Sequence, residues 1–224
     1  MKNPTEIEER INYVFKDKGL LKLSLTHTSS LKDGDGFGNE RLEFLGDAIL
    51  GLVISTALFE LYPDKDEGWL TQVRASLVKE RSLFEKAKAL KLGEYLILGR
   101  GEEEGTGRSK PSILSGAYEA LIGAIFFDGG YSVCESFIRN EFESFLIIDK
   151  DYNPKNAKSI LQEMVQKGSG SLPRYEVLTE DGPDHKRVFV VAVFVDGAEK
   201  GRGEGRTKKE AEMAAAAEAI KHNI

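Results

Sequence analysis

Three acids recur at helical spacing within Asn39-Glu40-Arg41-Leu42-Glu43-Phe44-Leu45-Gly46-Asp47-Ala48. At about 100° of rotation per residue, Glu40, Glu43 and Asp47 fall inside an arc of about 60° on one side of a helix. Leu42, Leu45 and Ile49 take a different, apolar side. Carboxylates stacked on one stripe repel one another by roughly a few tenths of a kcal/mol per pair. A hard divalent cation would relieve that repulsion, and Mg²⁺ takes oxygen ligands while keeping several waters. A second apolar segment, Ser112–Phe127, holds one acid, Glu119, among Ala117, Tyr118, Ala120, Leu121 and Ile122. An unpaired carboxylate is costly to bury there. Meeting the first stripe across a cation would offset that cost. A solvated acidic helix face has the same spacing, so the pattern alone leaves both readings open.

No competing nucleophile stands out. The serines and threonines lie outside any elbow motif, and the three histidines form no triad pattern. The single cysteine, Cys134, excludes an intrachain disulfide and fits a reducing cytosol. It reads as a small buried hydrophobe. The start, MKNPTEIEER, lacks the apolar stretch of a secretory signal. No segment is read as approaching the roughly 20 apolar residues of a membrane helix. The expectation is a cytoplasmic protein without a membrane partner. The net charge of −6 argues against a nucleic-acid partner when taken alone. Its distribution matters more. Residues 151–224 hold 12 basic and 12 acidic side chains, whereas residues 1–150 hold 19 and 25. The excess acidity therefore lies wholly in the N-terminal part.

These acids need elements to position them. Residues 1–148 read as helices, with amphipathic runs at Ile7-Ile11-Val14 with Phe15, Leu20–Leu25, Leu42–Leu61, Leu70–Val78, Arg81–Leu90 and Ser112–Phe127. Breaks fall at Asp33–Gly36, Tyr62-Pro63-Asp64, Gly99–Gly107 and Asp128–Gly130. The polar segment 149–155 reads as a linker. Beyond it the period changes. Ser159–Lys167 suggests a short helix, while Arg174–Thr179 and Arg187–Val195 alternate as strands. Glu199–Gly205 is a glycine-rich third strand, and Lys208–His222 an alanine-rich helix. The expected architecture is a mainly α domain over 1–148 followed by a small α+β domain, α-β-β-β-α, over 156–224.

The run NERLEFLGDAIL closely resembles the signature of the ribonuclease III family, and SILSGAYEALIGAIFFDGG resembles its second acidic motif. Leu25-Thr26-His27 with Ser29, and Asp66-Glu67-Gly68 ahead of Leu70-Thr71 and Arg74-Ala75, match in order and spacing. The resemblance covers nearly the whole chain. It implies a helical nuclease domain that hydrolyses phosphodiesters of double-stranded RNA with Mg²⁺, or Mn²⁺ as an alternative, leaving 5′-phosphate and 3′-hydroxyl ends. By matching positions, Glu43, Asp47 and Glu119 become metal ligands, Glu40 a supporting acid, and Glu67 an acid lining the cleavage valley. Phe44 reads either as core packing or, by the resemblance, as part of a homodimer seam. Two nuclease domains packed there would each cut one strand and leave short 3′ overhangs. The implied substrates are precursors of ribosomal and other structured RNA.

One position departs from the family. Its second motif carries an Asp three residues before the Glu, and here that residue is Gly116. A glycine offers no ligand and weakens a helix by about 1 kcal/mol relative to alanine. Either a water fills the vacancy and cleavage persists, or the chain is an impaired enzyme that regulates by binding RNA.

The second domain resembles the double-stranded-RNA-binding domain. Lys158-Ser159-Ile160-Leu161-Gln162-Glu163 is similar to its first-helix motif. The resemblance implies that Gln162 and Glu163 bind one minor groove and His185 the next. Lys208 and Lys209 would then face phosphates across the intervening major groove, a reading of A-form shape rather than sequence.

Overall fold

A computed structural model of the chain describes residues 5–32, 36–148, 157–168, 170–183 and 187–221. The chain divides into two compact units, Met1–Tyr152 and Asn153–Ile224. The expected linker, 149–155, lies outside the described residues.

The first unit is helical: α1 Thr5–Ile11, α2 Lys18–Ser24, α3 Glu40–Leu61, α4 Glu67–Leu77, α5 Glu80–Ala89, α6 Arg100–Glu104, α7 Pro111–Gly129 and α8 Tyr131–Leu146. Local chemistry sets several ends. The Asp66 carboxylate accepts the Trp69 backbone N–H at 2.7 Å and caps α4, as Asp17 does for α2. Pro111 opens α7, where its missing N–H costs nothing. Gly130, at φ 81°, ends it.

The centre of the unit is α7. Ile113, Leu114, Ala117, Tyr118, Leu121, Ile122 and Ile125 on it are buried, so apolar residues surround nearly its whole circumference. Helix α3 crosses α7 at very short range. A Cβ on Gly46 would lie 1.8 Å from the Glu119 carbonyl oxygen, and one on Gly123 would lie 2.2 Å from the Leu42 carbonyl oxygen. Only glycine at both positions allows the two backbones to touch. Leu50, Val53, Ile54, Ala57 and Leu58 carry the buried side of α3 farther along.

Three expectations change here. Val14 belongs to no helix and is 71% exposed, because α1 ends at Ile11. Helix α8 was not singled out by the sequence runs, yet it buries Cys134, Phe137, Ile138 and Phe142. Helix α3, at 22 residues and a mean hydropathy of 1.8 over its most apolar window, is long and apolar enough to cross a membrane by length and composition. Its apolar residues serve two purposes instead. One side fills the core, and Phe44, Leu52 and Phe59 form an exposed row on another.

The second unit follows α9 Ala157–Gly168, β1 Arg174–Asp181, β2 Val188–Val195, β3 Ala198–Gly205 and α10 Lys208–Lys221, as expected. The strands form an antiparallel sheet in the order β1-β2-β3. Asp196 and Gly197, at φ 51° and 81°, make the tight β2–β3 turn. The glycines of β3 have a packing reason. At Gly201, Gly203 and Gly205 a Cβ would come within 2.6, 2.1 and 2.4 Å of α10 backbone atoms. Period-two glycines thus present bare backbone to one sheet face, and Ala211, Ala215, Ala216 and Ala219 lie buried on the facing helix.

Gly46→Ala should therefore force α3 and α7 apart. Overpacking of this kind costs about 1–3 kcal/mol or more, enough to lower the melting temperature of the first unit by several degrees in a circular-dichroism melt. An unchanged melting temperature would show that the crossing is not tight.

Candidate active site

The glycine crossing decides which acids meet. Glu40, Glu43 and Asp47 occupy the first two turns of α3, and Glu119 lies at the middle of α7, where its own carbonyl touches Gly46. All four line one open cleft of about 620 Å³, with Phe44 at its edge. Glu40 and Asp47 are exposed, whereas Glu43 and Glu119 are half-buried.

The electrostatics show strain. Burial, then the charges of Asp47 and Glu43, raise the Glu119 carboxyl from 4.5 to about 7. Burial, then Glu40 and Asp47, raise Glu43 in the same direction. Among the described residues, no three His, Cys, Asp or Glu side chains stand in an arrangement that would by itself enclose a metal. The donor set still suits an open site for a hard cation. Its ligands are all carboxylate oxygens, they repel one another, and the cleft leaves room for water. At Gly116 the space that a β-carbon would fill is taken by the Glu43 carboxylate, with Oε2 at 2.6 Å from the ideal Cβ position.

Comparisons with known proteins identify the family. A family model described as Ribonuclease-III-like matches residues 17–145, and one described as a double-stranded RNA binding motif matches residues 157–223. Ribonuclease 3 of Magnetococcus marinus is 44% identical over 222 residues, covering 96% of this chain and 90% of the relative. Ribonuclease 3 of Desulfotalea psychrophila is 45% identical over 221 residues, covering 96% and 91%. The chain belongs to the ribonuclease III family. A solved nuclease domain of ribonuclease III from Campylobacter jejuni, reported with structural flexibility in a region involved in dimer formation, superposes with a TM-score of 0.61. It shares 42% identity and covers 63% of this chain and 97% of that domain. As a member of a divalent-metal-dependent family, the chain is an endoribonuclease joined to a double-stranded-RNA-binding domain.

Not every expected site residue joins the cleft. Glu67, the first residue of α4, accepts the Thr71 hydroxyl at 2.8 Å and lines a separate groove with Phe59, Lys65 and Arg74. Within one chain it is not part of the acidic cluster, because it follows the C-terminal end of the 22-residue α3, whereas Glu40, Glu43 and Asp47 stand at its N-terminal end. Phe44 is 78% exposed, which removes the core-packing reading.

In the second unit, Gln162 is exposed and Glu163 half-buried on α9. Lys208 and Lys209 are exposed at the start of α10. That start is capped by a reciprocal pair: Thr207 Oγ1 accepts the Glu210 N–H at 3.1 Å, and Glu210 Oε2 accepts the Thr207 N–H at 3.3 Å as well as the Arg206 N–H at 2.8 Å. His185 lies outside the described residues.

Sequence reasoning gave no role to several residues that line the cleft. His27 receives the Ser29 backbone N–H on Nδ1 at 3.2 Å, which leaves Nε2 to carry the proton in the neutral ring. Lys110 pairs with Glu102 at 3.1 Å. Neither lies on a periodic run. His27 stands in the Leu25-Thr26-His27 run that the resemblance matches but without a role, whereas Lys110, just before the proline that opens α7, carries no signal.

The raised Glu119 carboxyl has a consequence for stability. The folded chain holds that proton more tightly than the unfolded chain, so this group favours the fold below about pH 4.5 and the benefit is lost as pH climbs to about 7. In chelator, the melting temperature should fall across that interval. Glu119→Gln should flatten the fall, and so should Mg²⁺ added to the unsubstituted protein. A slope that persists in Glu119→Gln would assign it to other groups.

Proposed function

We propose that the chain cleaves double-stranded RNA by hydrolysis at the α3–α7 cleft, with Glu43, Asp47 and Glu119 as ligands of Mg²⁺, which Mn²⁺ can replace. One observation carries this reading: the Gly46–Gly123 crossing brings acids from two separate helices to one solvent-open cleft. When bound, the cation supplies the Lewis acidity that polarises a phosphoryl oxygen and acidifies a water. The chain's own residues do the rest. Glu43 and Glu119, half-buried, give fixed donors, and exposed Glu40 and Asp47 keep the rim negative, so an RNA phosphate enters only with a counter-charge in place. The products are 5′-phosphate and 3′-hydroxyl ends, and structured RNA precursors are the substrates.

A second copy of the chain completes the reading. Phe44 stands exposed beside an apolar groove lined by Leu20, Leu23, Leu31, Phe37, Leu42 and Phe127. The related Campylobacter jejuni domain has a region involved in dimer formation. A homodimer through this surface sets two cleavage sites on one duplex and yields short 3′ overhangs, with Glu67 lining the shared valley. Gln162, Glu163 and His185 take minor grooves and Lys208 and Lys209 take phosphates.

The test pairs cutting with binding. Unsubstituted protein should cut a duplex RNA in Mg²⁺ and bind without cutting in Ca²⁺. Loss of a residue that merely supports a metal ligand costs about 10–100-fold in affinity or activity, so Asp47→Asn should lower cleavage by more than about 100-fold while retention on the duplex is unchanged. Lys208→Ala and Lys209→Ala should each weaken binding to all duplexes alike and lower the salt slope by about 1. Binding without cleavage in Mg²⁺ by the unsubstituted protein would instead make it a regulator that reads duplex RNA.

A further inference from the structure

Gly116 is buried on α7, one turn before Glu119. The three atoms nearest a Cβ built there all belong to one carboxyl group: Glu43 Oε2 at 2.6 Å, Cδ at 2.8 Å and Oε1 at 3.0 Å. This glycine differs in kind from Gly46 and Gly123. Substituents at those two meet backbone carbonyls, which are held by their helices and cannot give way. At Gly116 the neighbour is the far end of a flexible side chain on another helix. Residue 116 therefore does not set how closely α3 and α7 pack. It sets where a carboxylate from α3 comes to rest.

We propose that Gly116 is a positioning residue that seats the Glu43 carboxylate on the surface of α7, so that α3 delivers an acid to a place where α7 itself supplies none. The inference rests on the metal reading of the cleft given above. The seat fixes the distance between Glu43 and Glu119, since both carboxylates are then referred to the same helix. A β-carbon at residue 116 lifts Glu43 off that surface and into the cleft. An acid at residue 116 occupies the seat from the other side and makes Glu43 replaceable. Filling the seat from α3 and filling it from α7 are thus mutually exclusive arrangements of the same donor.

The experiment uses the full chain and reads Mn²⁺ affinity by titration calorimetry, with the melting temperature measured alongside. Gly116→Ala should weaken Mn²⁺ binding by about tenfold, the size of effect seen when a ligand's support is removed. It should not lower the melting temperature, because only a side-chain end is displaced and alanine favours the helix. Glu43→Gln should weaken binding at least as much. The double variant Glu43→Gln with Gly116→Asp should recover most of that loss, which a purely structural role for Gly116 would not produce. Mn²⁺ affinity unchanged in Gly116→Ala, or a double variant no better than Glu43→Gln, would overturn the proposal while leaving the metal reading in place. An unsubstituted chain that binds no Mn²⁺ at millimolar concentration would remove the metal reading itself, and this inference with it.

Discussion

Everything at the cleft depends on two helix backbones touching. Where α3 crosses α7, Gly46 meets the carbonyl of Glu119 and Gly123 meets the carbonyl of Leu42. Each contact therefore involves a residue next to, or identical with, the chemistry. Glu43 follows Leu42 directly, Asp47 follows Gly46 directly, and Glu119 supplies the carbonyl itself. An ordinary crossing, with side chains between the axes, keeps helices 8–10 Å apart. These acids would then stand on separate walls with water between them. The crossing is thus a packing device and a device for concentrating negative charge at once.

That concentration is unfavourable for the fold by itself. The charges of Asp47 and Glu43, added to burial, push Glu119 upward, and Glu43 responds to Glu40 and Asp47 in the same sense. A chain selected for stability alone would not place four acids there. The core around α7, with Tyr118, Leu121, Ile122 and Ile125 fully enclosed, holds the arrangement against its own repulsion. Local rules broken at a site and satisfied everywhere around it are the pattern expected where function, rather than folding, selects the residues.

Much of this was legible in the sequence, for definable reasons. The three-and-four spacing of Glu40, Glu43 and Asp47 survives in the structure because α3 is a regular helix through that stretch. The α-β-β-β-α order was legible because period-two and period-3.6 patterns alternate cleanly after residue 157. The glycines of β3 weaken a strand on propensity, and only the alanine-rich face of α10 explains them. Other features were not legible. Whether Glu67 joins the other acids depends on tertiary packing, since the length of α3 separates them within one chain, and the motif match carries no sign of that separation. The place beside Gly116 looked empty in sequence because its occupant, Glu43, lies 73 positions away on another helix. Val14 misled because an apolar residue at helical spacing carries no mark that its helix has already ended at Ile11.

The contact between β3 and α10 has a bearing on how a duplex is measured. Helix α10 rests on strand backbone rather than on deformable side chains, so it has little freedom to slide or roll. Lys158 ties α9 to α10 through Glu212 at 2.5 Å while lying over the ring of Tyr175. The helix bearing Gln162 and the helix bearing Lys208 and Lys209 are therefore held at a fixed interval, like the jaws of a gauge. If these residues meet RNA as proposed, a rigid interval would accept a double helix whose groove repeat equals its own span and give no adjustment to one whose repeat differs.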